Sequence, residues 1–147
     1  MSVRVKGSVG SSKLTDADYV LLLQLRDGLR RFQRWSEQRA LEAGVRPAHH
    51  QLLLVVRAHE DRSGPTVGDV AEHLLLRHHS AVELVDRTVT AGLVRRRADR
   101  LDLRTVRLEL TALGARRLAD LSALHLEELR RMGGRHGPLW RGLEGSA

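Results

Sequence analysis

Residues 66–114 read TVGDVAEHLLLRHHSAVELVDRTVTAGLVRRRADRLDLRTVRLELTALG, and within that stretch the apolar period changes from helical to alternating. Thr66 followed three residues later by Asp69 is close to a capping box. Val67, Val70, Ala71 and Leu74 then fall on one helical face. After a break at Leu75-Leu76-Arg77, a second helix is predicted from about His78 to Ala91. Ala81, Val82, Val85 and Val89 face inward on it, and Gly92 is its stop. Two short helices joined by a few residues, with small Ala71 at the crossing, form a helix-turn-helix pattern. Beyond Gly92, Leu93–Arg97 and Thr105–Leu110 read as strands, with Val106, Leu108 and Leu110 alternating against Thr105, Arg107 and Glu109. The polar, Arg-containing segment Ala98–Arg104 between them is the tip of a hairpin. A helix-turn-helix followed at once by a basic hairpin is a winged helix. The second helix fits the major groove of a duplex, and the hairpin beside it reaches the backbone or the adjacent minor groove.

Helices are expected on both sides of this unit. Thr15-Asp16-Ala17-Asp18 is a helix start, and Leu22, Leu25, Leu29 and Phe32 continue at helical spacing to about Ala43, with Gly44 as a stop. Pro47 suits the first turn of a central helix running to about His59, and Asp61–Pro65 is a loop. Thr111 caps a last helix to about Met132, where Gly133-Gly134 is the expected stop. Its leucines (113, 118, 121, 124, 126 and 129) spread wider than one core-facing stripe needs, which points to contact with a second chain. The expected fold is mainly α with a small β-hairpin wing: a winged helix-turn-helix flanked by N- and C-terminal dimerisation helices. The expected organisation is a tail over 1–13, one winged-helix domain over 14–132 and a second tail over 133–147. Within the domain, the dimerisation helices lie at about 14–44 and 111–132 and the reading head at about 47–110.

Composition narrows the function. The chain has 147 residues, 41% of them apolar, which suits one domain able to bury a core. Cysteine is absent, so disulfides, thiol chemistry and Cys-based zinc sites are excluded. Lys plus Arg is 25 against 18 acids, a net charge of +7, which favours a polyanionic partner. Eight Arg against four acids fall between Arg77 and Arg107, so +4 of that excess sits where the winged-helix reading places DNA. No stretch approaches a membrane span, and MSVRVKGSVGSSK at the start lacks the apolar region of a secretory signal, so the cytoplasm is expected. Nucleophile-elbow, P-loop, dinucleotide and H-E-x-x-H motifs are absent, so an enzyme is not expected and no cofactor is assigned.

Five segments together resemble the MarR family of bacterial transcription regulators. They are Thr66–Ala71, Leu84–Arg87, Gly92–Arg96, Asp102–Arg104 and Val106–Gly114. The resemblance runs from about Leu14 to Met132. It implies a homodimer whose first and last long helices interlock, with two winged domains reading the half-sites of a pseudo-palindrome, as a repressor. It also implies an effector, a small phenolic or carboxylic ligand held between the dimer helices and the reading head. The chain departs from the family pattern at Leu75 and Arg77, where Gly and then Ser or Thr are usual in the turn. It departs again at Glu83 and Leu103, where Arg is usual. The resemblance further implies that Asp102 pairs with Arg104 or another wing Arg and shapes the tip.

The residues expected at DNA are Arg77, His78, His79, Ser80, Glu83, Arg87, Arg97, Arg100 and Arg104. A polar helix start binds phosphate well. Glu83 either accepts from a cytosine or pairs with Arg87 at i+4, and the pair is preferred. Arg87 serves phosphate or that pair equally well. In the run Arg95–Arg97 only part can point at DNA, and the rest is solvated or pairs with Glu109. Trp35, Arg39, His49 and His50 are the candidates for an effector pocket between the first two helices, because an aromatic with a cation suits an aromatic acid. The same residues equally serve dimer packing. The eight His include no spacing that fixes a zinc site, and Glu42 with His49 and His50 is the only loose set, so no metal site is assigned. The readings that compete with a DNA-binding regulator are a winged-helix protein–protein adaptor and a metal-responsive regulator.

Overall fold

The computed structural model describes residues 13–144, with side chains from 13 to 133. Five helices and one two-stranded antiparallel sheet follow in the order α1 (Asp16–Glu42), α2 (Pro47–Ala58), α3 (Val67–Leu74), α4 (His78–Thr90), β1 (Val94–Ala98), β2 (Val106–Leu110), α5 (Ala112–Glu144). This is the mainly α winged helix-turn-helix that the sequence predicts.

Local chemistry sets the boundaries. Thr15 and Asp18 close a capping box on α1: the Thr15 amide donates to Asp18 at 2.7 Å and the Asp18 amide to the Thr15 hydroxyl at 3.3 Å. Thr66 and Asp69 do the same for α3. Pro47 opens α2. The expected stop at Gly133-Gly134 is corrected, because α5 passes through both residues and continues to Glu144. Glycine lowers helix propensity by only about 1 kcal/mol, and a pair of glycines ends a helix only where the second half of a cap is present.

The core forms around α2. Leu52 and Leu53 meet Ala40 of α1, Val70 of α3, Ala81 and Val85 of α4, Val94 and Leu108 of the hairpin and Leu121 of α5 in one buried cluster. The start of α5 is fastened to the start of β1. Thr111 donates its amide to the Leu93 carbonyl at 3.1 Å and its hydroxyl to the Gly92 carbonyl at 2.6 Å. Gly114 lies so close beneath that a Cβ there would sit 2.0 Å from the Leu93 oxygen, so the glycine of the Leu-Thr-Ala-Leu-Gly run is a packing requirement. No described helix is long and apolar enough to cross a membrane.

Candidate nucleic-acid interface

Helix α4 has an inward face and an exposed one. Ala81, Val85 and Thr88 are buried, and Leu84 and Val89 pack partly against the core. Arg77, His78, His79, Glu83 and Arg87 are exposed, and Ser80 is half-buried. The helix begins at His78 with Arg77 as its cap residue, and no side chain caps it. The first amides of α4 therefore keep free donors, with two exposed imidazoles and a guanidinium beside them, a suitable arrangement for a phosphate.

The turn before α4 departs from ordinary backbone. Leu75 adopts φ 54°, ψ 42°, the left-handed region, with its side chain 92% exposed. This is the position where the family resemblance expects glycine. The turn is kept closed by two hydrogen bonds, Leu76 N to Ala71 O at 2.9 Å and Leu75 N to Glu72 O at 3.3 Å.

In the hairpin, most arginines serve the fold. The register sets Arg95 opposite Glu109 and Arg97 opposite Arg107, a like-charge pair that is unfavourable unless each cation finds its own partner. Each does. Glu109 accepts from Arg95 and, at 3.2 Å, from Arg97, and these two guanidiniums hold its carboxyl below the usual carboxylate range. Arg97 also donates to the Ser63 carbonyl at 2.8 Å. Arg107 donates to Asp99 and to the Gly64 carbonyl, each at 3.1 Å, and lies 3.4 Å from Asp61. Arg96 pairs with Asp86 of α4. The Leu108 amide adds a bond to the Pro65 carbonyl at 2.9 Å. The wing base is thereby pinned to the loop between α2 and α3, and its angle to the reading helix is set.

These contacts sort the residues expected at DNA. Arg97 is turned into the wing base, with both ends of its guanidinium engaged, and is not available at the tip. Glu83 and Arg87 make no hydrogen bond or ion pair with each other among the described residues, so the preferred i+4 pair does not form. An exposed pair of this kind is worth only about 0.3–0.5 kcal/mol, too little to hold two long side chains. Arg87 lies instead toward α2, where its charge, after burial and Arg46, lowers the pKa of buried His49. Arg100 and Arg104 remain at the tip, Arg104 with its side chain 94% exposed and only a 3.4 Å contact to Asp102. The pairing of Asp102 with Arg104 is thus present, and Asp102 also accepts the Arg104 amide at 3.1 Å.

Two residues that organise the wing escaped sequence reading. Asp99 is buried and accepts from the Leu101 and Asp102 amides at 3.0 Å each and from Arg107, and these hydrogen bonds, those of the amides foremost, lower its pKa. The spacing of Asp99 ahead of Asp102 was the available signal, since an Asp that caps the amides two and three residues on makes a tight turn. Arg107 escaped because its partners are Asp99 across the hairpin tip and Asp61 and the Gly64 carbonyl in the distant loop between α2 and α3.

The expected effector residues do not converge. A cleft of about 720 Å³ opens between α1, α2, α3 and α5, lined by Phe32, Ser36, His50, His59, His73 and His125 among others. Of the expected set only His50 lines it. Trp35 stands behind, 5.0 Å from the His125 ring centroid. His49 is buried on the side nearer Arg46 and Arg87. Arg39 pairs with Glu42 at 2.9 Å, leaving its Nε buried without a partner. Glu42 is thus engaged away from His49 and His50, and no cluster of three or more His, Asp or Glu side chains suited to a metal ion occurs among the described residues.

A short helix pair followed by a hairpin pinned to its base defines a winged helix-turn-helix protein. Within that class, residues 43–105 match the model of the MarR family. The match makes that segment similar to the MarR family. Solved structures agree with the fold over most of the chain. A MarR family transcription regulator is 19% identical, with a TM-score of 0.74 over 88% of this chain and 86% of that one. MepR of Staphylococcus aureus, solved in complex with DNA, is 18% identical, with a TM-score of 0.65 over 84% and 85%. CouR of Rhodococcus jostii RHA1, solved with p-coumaroyl-CoA bound, is 25% identical, with a TM-score of 0.63 over 85% and 82%. No curated protein matches the sequence at a significant level.

Proposed function

We propose that this chain is a sequence-specific double-stranded DNA-binding transcription regulator, acting as a homodimer and a repressor on a pseudo-palindromic operator. The observation that carries the reading is the joint placement of an uncapped, exposed start of α4 and a wing whose tip keeps Arg100 and Arg104 out of the base's ion pairs. Helix α4 enters the major groove. The amides of its first turn, with Arg77, His78, His79 and Ser80, meet phosphate and base edges, and Glu83, left unpaired, faces the groove as an acceptor for cytosine. Arg100 and Arg104 contact backbone on the far side of the groove. The two heads of a dimer reach half-sites about one helical turn apart, roughly 34 Å. The DNA complex of MepR, a similar fold, supports this reading.

The cleft supports a second element, relief by a small ligand. Its lining is largely apolar, with Phe32, Leu54 and Leu126 around a few imidazoles, which suits an aromatic acid or its ester. It touches α1, α2, α3 and α5 together, so an occupant bears directly on the angle between the terminal helices and the reading head. The ligand found in CouR, p-coumaroyl-CoA, is of that chemical kind.

Fluorescence anisotropy on a labelled random duplex at low salt tests the core of the reading. Binding that weakens steeply with salt is expected, because released phosphate counterions drive it. Arg100→Ala weakens binding to every duplex and lowers the slope of log affinity against log salt by about one. His79→Ala changes which sequences are preferred. Absence of binding by the unsubstituted chain would favour the adaptor reading and overturn the regulator.

A further inference from the structure

The tip of the wing is built from more than arginine. Leu101 is 99% exposed and Leu103 80% exposed. The backbone that carries them is well tied. Asp99 accepts the Leu101 and Asp102 amides, and Asp102 accepts the Arg104 amide. The Asp99 amide donates to the Thr105 carbonyl at 2.8 Å and the Thr105 amide to the Asp102 carbonyl at 2.9 Å. Arg107 fastens Asp99 to the base. These turns need aspartate at 99 and 102 and ask nothing of the side chains at 101 and 103. A polar residue would serve the fold equally well and spare the exposure of two isobutyl groups. Arg100 and Arg104 stand beside them in sequence, Arg100 without an ion pair among the described residues and Arg104 almost fully in solvent.

Resting on the DNA-binding function above, we propose that Leu101 and Leu103 form an apolar wedge that enters the minor groove and presses between base pairs, while Arg100 and Arg104 hold the phosphates on either side. A minor groove about 6 Å wide offers this combination of surfaces, two anionic walls around an apolar stack of bases. Cations on both sides of an apolar tip, Arg100 without an ion pair among the described residues and Arg104 94% exposed, complement two anionic walls better than an uncharged protein face. Apolar side chains inserted at a base step unstack it and bend the duplex, most readily at a flexible pyrimidine–purine step. The wing therefore contributes sequence preference through deformability, at positions where no hydrogen bond is made to a base.

Selection by the full-length protein from a duplex pool with a randomised core tests the wedge. The recovered duplexes are then used for affinity and for energy transfer between their ends. The unsubstituted protein is expected to enrich TA or CA/TG steps at a fixed distance outside each half-site and to bring the duplex ends together. The double variant Leu101→Ala/Leu103→Ala is expected to lose that enrichment, to bend less and to bind about tenfold more weakly with its salt slope unchanged. Leu103→Arg, which adds a phosphate contact, raises the salt slope by about one without restoring the bend. Both variants change exposed side chains, and circular dichroism checks that they fold. Should the double variant bend duplex and enrich the same steps as the unsubstituted protein, the wedge is overturned while the regulator stands. Should the unsubstituted protein bind no duplex, both fall.

Discussion

At residue scale, Leu75 carries an unusual backbone burden. A leucine in the left-handed region is strained by about 1 kcal/mol, and here no side-chain packing offsets it, since the side chain is almost entirely in solvent. Glycine would remove the strain at the expense of about 0.5 kcal/mol or more of unfolded-chain entropy. Leu75→Gly is therefore expected to raise the melting temperature by about 1–2 °C, while Leu75→Ala, which keeps a Cβ, leaves it unchanged or lower. Leu75→Gly melting below Leu75→Ala would show that the turn holds too little strain to outweigh the entropy of glycine. The sequence displayed this departure as a non-glycine in the turn, and it could be read there because a turn's dihedral demand is local. The fate of Arg97 could not be read, because its partners, Glu109 and the Ser63 carbonyl, are 12 and 34 residues away.

At the scale of elements, α1, α2 and α5 meet around two histidines. The His125 ring stands 4.8 Å from that of His50. Its Nδ1 donates to the Leu121 carbonyl at 2.6 Å, and its Nε2 lies 2.6 Å from the Ser36 hydroxyl. Burial foremost, and then the charge of His125, lowers the pKa of His50 below 6.5, and burial does the same for His49. The unfolded chain thus binds protons that the folded chain refuses. The stability from these groups is fully present above about pH 6.5 and is lost as pH falls below it. Asp99 and Glu109, whose pKa values are also lowered, act only in a separate window below about pH 4.5. Thermal melts are expected to be flat above about pH 7 and to fall between about pH 6.5 and pH 5. His50→Gln should shrink that fall, and a drop of full size in the variant would assign it elsewhere. The histidines themselves are visible in the sequence, but their meeting requires the long return of α5 across α1 and α2.

For the whole molecule, the terminal helices matter most. Helix α1 has 27 residues and buries only Ala40. Leu22, Leu23 and Leu29 on α1 and Leu124, Leu126 and Leu129 on α5 are exposed. So much apolar helix surface on one chain matches the second-copy expectation and supports the proposed dimer. Sedimentation equilibrium is expected to give twice the chain mass. Leu22→Asp/Leu29→Asp, which charges one face of α1, is expected to reduce it to one and to weaken operator binding by more than a hundredfold, because two heads then bind separately. A single-chain mass for the unsubstituted protein would overturn the dimer.

The sequence by itself determined the order of the elements, the capped starts of α1 and α3, the reading helix and the alternating wing strand. Each of these depends on residues within a turn or two of one another, where spacing and chemistry act directly. Only the tertiary structure decided which arginines are free. The +4 charge of residues 77–107 looks uniform along the chain, yet folding brings Asp61, Ser63 and Gly64 against the hairpin and consumes Arg97 and Arg107 in its base. The tip keeps its cations and its two leucines outward because the backbone turns there are satisfied from within.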